Sequence, residues 1–204
     1  DQSVKFRTVD ASGNEICEAI VIRSAQGDTV RMALDTTAFK SCLTSAFEND
    51  NIILPIGTYT LPQTLTLDRS QGLIGAGKDK TIIEGAILVN GSANNTATDV
   101  KIKGLSIDYT PTKVTSGKCT PIIEVTGNAD LLIDNCIMNN NTQGYGDRKN
   151  PNPAEALQNA ILLGATAKGT VHVENTTINL AANAQAGVLI DGELTDVSLV
   201  NTKI

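Results

Sequence analysis

The chain has 204 residues, of which 41% are hydrophobic, and its 16 Lys and Arg against 22 Asp and Glu give a net charge of −6; this length suits one domain, or one domain with a small appendage. The acidic balance leaves no basic stripe for a nucleic-acid backbone, and no apolar run reaches the length of a membrane span, so we expect neither partner. The lack of Trp, with only three Phe, three Tyr and one His, leaves few aromatic platforms for sugars and excludes many acid–base schemes.

Residues 1–34 are predicted to form a separate N-terminal strand region. The segments SVKFRTV and EICEAIVIR lie on either side of the turn DASGN, and DTVRMAL is typical of a third strand. The three could form a small meander; SVKFRTV, with Val4, Phe6 and Thr8 on one side, is also a candidate donor strand for another subunit. Because the chain begins with Asp1 rather than Met, we expect that a preceding segment was removed, either as the signal peptide of an exported protein or by trimming.

A capping helix is predicted at about residues 36–48. Asp35 is a good N-cap, and the apolar residues after it fall at helical spacing on one face: Phe39, Cys42, Leu43, Ala46 and Phe47. The helix is followed by four short segments typical of strands, IILPIGTYT, LTL, LIGAG and TIIEG.

This order of elements resembles the pectate-lyase-like family of right-handed single-stranded β-helices. In that family a helix lids the N-terminal end, and a P-x-G-x-Y strand leads into L-x-G-x-G and T-x-I. The matching residues are Pro55, Gly57, Tyr59, Leu73, Gly75, Gly77, Thr81 and Ile83. With the repeats described next, the resemblance covers residues 35–204 and implies an all-β fold, a right-handed parallel β-helix with an N-terminal capping helix. It does not imply one function, because the family holds lyases, hydrolases, phage tailspikes, adhesins and inert scaffolds.

Four later segments align without gaps: DVKIKGLSI from Asp99, DLLIDNCIM from Asp130, TVHVENTTI from Thr170 and DVSLVNTKI from Asp196. Positions two and four are aliphatic, position six is Gly or Asn, and position nine is apolar. Each unit is interpreted as two short strands around a bend, because Gly and Asn tolerate a left-handed backbone. Further strands at PIIEV, AILL and GVLI would give three per repeat, which predicts stacked coils. A β-sandwich is the alternative, but it does not predict the recurring bend residue, which could stack as an Asn ladder.

The alignment also predicts which side chains share the outer face of the coils. Position five brings together Lys103, Asp134 and Glu174, since neighbouring coils lie about 4.8 Å apart. Lys103 could pair with Asp134, whereas Asp134 would repel Glu174 unless a proton or cation intervenes. A calcium site is therefore one interpretation and a solvated charge ladder the other. The clustered arginines and short acidic motifs of the family's lyases and galacturonases are missing from the sequence, so we expect no catalytic residue on this ladder and no other cofactor.

An insertion, GYGDRKNPNPAEALQ, explains why one repeat is longer than the others. Loops that protrude from such coils often bind ligands. Tyr145, Asp147, Arg148 and Glu155 could therefore contact a glycan or a partner protein, or the segment could be a polar loop with no such role.

The four cysteines, Cys17, Cys42, Cys119 and Cys136, form no CxxC or metal-ligand cluster. They could be four buried thiols or, in an exported protein, two disulfides. If they are bridged, we favour Cys17–Cys42 and Cys119–Cys136, because each pair stays within one local region.

The last nine residues are a strand pattern with apolar side chains to the end. Burying three or four such side chains contributes about 5–8 kcal/mol, so we expect this face to be covered, either by another subunit or by residues missing from a truncated chain. We favour a subunit contact that places Val197, Leu199, Thr202 and Ile204 against the N-terminal strand of a second copy.

The sequence therefore predicts an extracellular or cell-surface structural protein that assembles end to end into a homo-oligomer or filament. A glycan-binding adhesin or tailspike-like module is one alternative. The other is a polysaccharide lyase acting on uronate-rich glycans, and whether the protein is an enzyme at all stays open.

Overall fold

The structure is a computed structural model that describes residues 2–9, 15–23, 50–54, 56–61, 63–109, 120–140, 159–180, 186–194 and 196–204. These residues form eighteen strands: β1 (Gln2–Val9), β2 (Glu15–Arg23), β3 (Asp50–Leu54), β4 (Gly57–Thr60), β5 (Leu65–Leu67), β6 (Gln71–Gly75), β7 (Thr81–Glu84), β8 (Ile87–Asn90), β9 (Thr98–Lys103), β10 (Ser106–Tyr109), β11 (Ile123–Thr126), β12 (Asn128–Asp134), β13 (Ile137–Asn140), β14 (Asn159–Leu163), β15 (Lys168–Glu174), β16 (Thr177–Asn179), β17 (Ala186–Ile190) and β18 (Asp196–Val200). The described part of the chain is all-β. The predicted capping helix at 36–48 and the boundary between 34 and 35 lie outside it.

The first two strands form their own antiparallel sheet. β1 pairs with β2 so that Phe6 lies opposite Ala19 and Thr8 opposite Cys17. Two of the three predicted N-terminal strands are therefore present, as an antiparallel pair. The third, DTVRMAL, lies outside the described residues.

The other sixteen strands form three parallel sheets, and each sheet takes every third strand of the chain. Sheet 1 has the order β18-β15-β12-β9-β6-β3, sheet 2 the order β16-β13-β10-β7-β4, and sheet 3 the order β17-β14-β11-β8-β5. We call three consecutive strands, one in each sheet, a coil. A chain that visits three parallel sheets in turn is consistent with the predicted parallel β-helix.

The core consists of columns of apolar side chains that run across the coils. In sheet 1 the parallel register aligns Ile52, Leu73, Ile102, Ile133, Val173 and Leu199. In sheet 2 it aligns Tyr59, Ile83, Ile107, Met138 and Ile178. In sheet 3 it aligns Leu65, Ile87, Ile123, Ile161 and Val188. Because side chains alternate along a strand, the residues before and after each of these core residues face outward.

The bends between sheet 1 and sheet 2 use a left-handed backbone, as the repeat predicted. Asn135, Asn175 and Asn201 have φ angles of 53°, 50° and 46°, and Gly104, at the same repeat position, has a φ of 64°. Most L-residues are destabilised in the left-handed region of backbone conformation, whereas Gly is not and Asn is destabilised less. The bend residue is therefore explained by the backbone turn.

Asn135 allows this backbone requirement to be tested, because it is exposed. Asn135→Ala should lower the free energy of unfolding by about 1–2 kcal/mol, since alanine pays the full cost of the left-handed conformation. Asn135→Gly, the matched control, should change it little. Chemical denaturation of the two variants measures the difference; equal stability of both would contradict the assignment.

Candidate functional site

The outer face of sheet 1 carries most of the polar residues that the sequence singled out. The register places Lys101, Leu132, His172 and Ser198 in one outward row and Lys103, Asp134, Glu174 and Val200 in the next. The row through Lys103, Asp134 and Glu174 is the one predicted from position five of the repeat alignment, and the other row consists of the residues at position three of the same four segments. The alignment therefore identified true structural neighbours on four successive coils.

Asp134 is already engaged by two neighbours. Its Oδ2 lies 3.4 Å from Lys103 Nζ, and its Oδ1 accepts a hydrogen bond of 3.0 Å from Asn175 Nδ2. Glu174 is opposite Asp134 in the register. Among the described residues, no three His, Cys, Asp or Glu side chains converge in a way that could hold a metal ion. These contacts favour the charge-ladder interpretation over a calcium site formed by Asp134 and Glu174.

His172 contacts two side chains of the neighbouring strand. Its Nδ1 is hydrogen-bonded to Ser198 Oγ, and its Nε2 lies 3.9 Å from Asp196 Oδ2. A serine, an imidazole and a carboxylate in this order resemble a nucleophile–base–carboxylate relay. However, 3.9 Å is too long for the hydrogen bond that would orient the ring, and Asp196 is exposed to solvent. The arrangement ties β15 to β18, and we assign no catalytic role to it.

Two ladders of side-chain hydrogen bonds run across the coils. In the first, Asn201 Nδ2 donates to Asn175 Oδ1 at 2.8 Å, and Asn175 Nδ2 donates to Asp134. The predicted Asn ladder is therefore present, but it passes to Asp134 rather than to Asn135. In the second, Asn179 Nδ2 donates to Asn139 Oδ1 at 2.8 Å, and Asn139 Nδ2 donates to Asp108 Oδ1.

The second ladder was missed by sequence reasoning, although a signal for it exists. Asp108, Asn139 and Asn179 each follow position nine of an aligned repeat. A tenth column of the alignment would have shown the same succession of one Asp and two Asn residues along sheet 2.

The last coil exposes a face that is buried in the coils before it. Leu199 is 45% exposed whereas Val173, its neighbour in the register, is 1% exposed. Ile190 is 52% exposed against 0% for Leu163. The residues of this C-terminal coil face are Ile190, Val197, Leu199, Thr202 and Ile204.

The four predicted interface residues on this side differ in their exposure. Leu199 and Ile204 are exposed, while Val197 is half-buried and packs against the core. Thr202 Oγ1 bonds to the carbonyls of Val173 and Val200, so its hydroxyl is satisfied within the chain. The apolar contact surface of this face therefore depends mainly on Leu199, Ile204 and Ile190.

Other predicted site residues lie elsewhere. Val4, Phe6 and Thr8 are alternate residues of β1 and lie opposite Val21, Ala19 and Cys17 of β2 in the register. Tyr145, Asp147, Arg148 and Glu155 lie outside the described residues. No helix of the described residues is long and apolar enough to cross a membrane.

Cys136 is a free, fully buried cysteine, so the structure does not show the predicted Cys119–Cys136 disulfide. Its Sγ lies 3.3 Å from the carbonyl oxygen of Asp134 and 3.5 Å from that of Ile102. Burial raises the pKa of this thiol to about 11. Cys17 is on β2, and Cys42 and Cys119 lie outside the described residues, so the other predicted disulfide, Cys17–Cys42, stays a prediction.

Comparison with known proteins finds no relative of this chain. No family model matches it, and neither the characterised proteins nor the solved structures contain a significant match.

The engagement of Asp134 predicts that calcium does not stabilise the protein. Calcium at about 5 mM, above the range of weak extracellular sites, should shift the midpoint of thermal unfolding by less than about 1 °C. Differential scanning fluorimetry after removal of metal with a chelator measures this. A saturable rise that disappears in Asp134→Asn would contradict the charge-ladder interpretation.

The buried Cys136 thiol should resist alkylation in the folded protein. With its pKa raised from 9.0 to about 11, the thiolate fraction at pH 8 falls about a hundredfold, and burial blocks the reagent as well. Iodoacetamide labelling followed by peptide mass spectrometry should find Cys136 unmodified without denaturant and fully modified with it. Rapid labelling of the native protein at Cys136 would show that this position is open.

Proposed function

We propose that this protein is an extracellular structural subunit, built as a right-handed β-helix of the pectate-lyase-like type, that assembles end to end through its C-terminal coil face. The observation that carries the proposal is the exposure of aliphatic side chains at this face. Each of them belongs to a column that is buried one coil earlier, which supports a covered state in the assembly. The right hand is supported by the strong preference of parallel strand connections for it.

The free energy at stake is large enough to drive association. Covering the side chains of Ile190, Leu199 and Ile204 would contribute about 5 kcal/mol by area bookkeeping. Among the described strands, β18 is also the edge strand of sheet 1, and unpaired backbone groups along an edge recruit another strand. A strand laid along β18 would satisfy both requirements together.

A second copy of this chain is the occupant that we propose, with β1 as the donated strand. Among the described strands, β1 pairs with β2 along one edge, and in the proposed assembly the added strand takes its other edge. Its alternate residues Val4, Phe6 and Thr8 would face the core of the joined coil. Contact between the N-terminal strand of one copy and the C-terminal face of the next is head-to-tail, and it produces a filament when the rotation between copies does not close a ring.

The polar contacts on the outer face of sheet 1 also favour a structural role. The side chains of Lys103, Asp134 and Asn175 bond to one another, and His172 bonds to Ser198. These pairs connect adjacent coils. A binding or catalytic face would instead direct several free polar groups at one point.

Sedimentation velocity tests the assembly, from about 1 μM to about 100 μM protein, the range in which a micromolar contact forms. The wild-type protein should grow in size with concentration. Leu199→Asp and Ile204→Asp should prevent this, because each places a charge in the contact, where desolvation opposes binding. Leu88→Asp is the matched control, since Leu88 lies outward on β8, away from this face, and should assemble like the wild type.

Deletion of residues 1–9 tests the donated strand separately, because it removes β1. The shortened protein should remain monomeric; continued assembly would show that β1 is not the donor. A wild-type protein that stays monomeric at about 100 μM would contradict the proposal as a whole, and a monomer that depolymerises uronate-rich glycans would support the lyase alternative.

A further inference from the structure

The outer face of sheet 3 carries a row of side chains that is apolar on three of its five coils. The parallel register aligns five residues in this row: Thr66, Leu88, Glu124, Leu162 and Leu189. The residues on either side of Leu162 in its strand, Ile161 and Leu163, belong to the core. Because side chains alternate along a strand, the row itself faces outward.

Leu162 is buried although it faces outward. It is 8% exposed and does not belong to the core cluster, and all five residues of β14 are buried. Its neighbours in the row, Glu124 and Leu189, are only half-buried. Neighbours within a sheet flank an outward side chain but leave its outer side open. A part of the chain outside sheet 3 therefore lies over Leu162.

This extra cover coincides with extra chain on the same coil. The connection from sheet 2 to sheet 3 runs here from the end of β13 at Asn140 to the start of β14 at Asn159, so 18 residues, 141–158, join the two strands. The same connection takes two residues between β7 and β8 and four between β4 and β5. On those two coils the residues of the row are less covered, since Leu88 is half-buried and Thr66 is exposed.

We propose that the outer face of β14, at Leu162, is a docking surface for the segment 141–158 of the same chain. The segment ends where β14 begins, so it starts from the edge of the surface that it covers. It carries two large apolar side chains, Tyr145 and Leu157, and burying these against Leu162 is favourable because it removes apolar area from water. Leu162 is then unavailable to an outside partner.

Two other occupants fit the observations less well. The segment 110–119 connects β10 to β11 on the coil before, but it leads towards Glu124, which stays half-buried, and Val114 is its one large apolar residue. A second copy of the protein is not needed, because Leu162 is buried within a single chain. The surface also lies apart from the C-terminal coil face, so the inference does not depend on assembly.

Thiol labelling measures the cover directly in the full chain. Leu162→Cys should react with iodoacetamide at least about tenfold more slowly than Leu88→Cys, the matched control in the same row, because burial blocks the reagent. Peptide mass spectrometry distinguishes these positions from the native cysteines. The ratio should be the same at about 1 μM and about 100 μM protein, a range that reveals micromolar association. Equal labelling of both variants, or protection that appears only at the higher concentration, would contradict the inference.

Shortening the segment should remove the cover. Residues 141–158 would be replaced by LAANAQ, the sequence of residues 180–185, which make the same connection on the next coil. Leu162→Cys should then react at least about tenfold faster than in the full chain, while Leu88→Cys should not change. Cys136, which is buried in the core, should stay unlabelled if the coils remain folded. Continued protection of Leu162→Cys would assign the cover to another segment and overturn the inference.

A substitution that keeps the whole segment gives an independent test, which holds even if the shortened chain does not fold. Leu162→Asp places a charge on the docking surface, so the segment should be released and trypsin should cleave after Arg148 at least about tenfold faster than in the wild type. Leu88→Asp should leave this rate unchanged. Cleavage after Lys103, in β9, reports unfolding of the coils and should stay slow. An unchanged rate after Arg148 in Leu162→Asp would contradict the inference.

Discussion

In a stack of parallel coils, an inward side chain is buried only when the next coil lies over it, and the register between neighbouring strands decides whether it does. In sheet 1 that register aligns aliphatic residues from Ile52 to Leu199. A slip by one residue would turn the whole column to the outside. The interior of this protein is therefore a set of nearest-neighbour contacts, in which each coil depends on the two beside it.

At the bends, neighbouring coils contact one another through polar groups. The chain turns from sheet 1 to sheet 2 without a loop. This turn places Asn135, Asn175 and Asn201 in the left-handed backbone conformation. Asparagine tolerates that conformation and also carries an amide that can bond to the coil on either side. The asparagine that the backbone turn requires therefore also connects coils, through hydrogen bonds between residues 26 and 41 positions apart in sequence. In each of these bonds the amide Nδ2 of the later coil donates to the coil before it.

On the outer face of sheet 1, neighbouring coils are connected by hydrogen bonds and ion pairs between polar side chains. Thr170 bonds to Asp130, His172 to Ser198, and Lys103 to Asp134, each across one strand boundary. Such pairs contribute little to the free energy of unfolding, because they are partly solvated. They nevertheless pair the polar groups of one coil with those of the next. Within the described residues, three of the six exposed large hydrophobic side chains, Ile190, Leu199 and Ile204, belong to the C-terminal coil face.

Much of the fold could be predicted from the sequence because strands and bends are local and repeat. The alternation around Val100, the bend at Asn175 and the outward rows of His172 and Glu174 all follow from aligned positions, and the structure places them as the alignment did. The antiparallel pairing of β1 with β2 agrees with the turn-forming sequence DASGN between them. Fold type was accessible for this reason, although the family resemblance itself has no match to support it.

Other features depended on distances that no local pattern contains. The repeats differ in length, so the early coils from β3 to β8 gave no alignment, and only the tertiary structure shows that Leu73 and Ile83 share columns with the later repeats. The choice of Asp134 over Asn135 as the partner of Asn175 is made by side-chain geometry across two coils. The free state of Cys136 and the exposure of Leu199 follow from what lies next to each residue in space. Periodicity specifies which way a side chain faces, whereas its neighbour on the next coil is specified only when the coils are stacked.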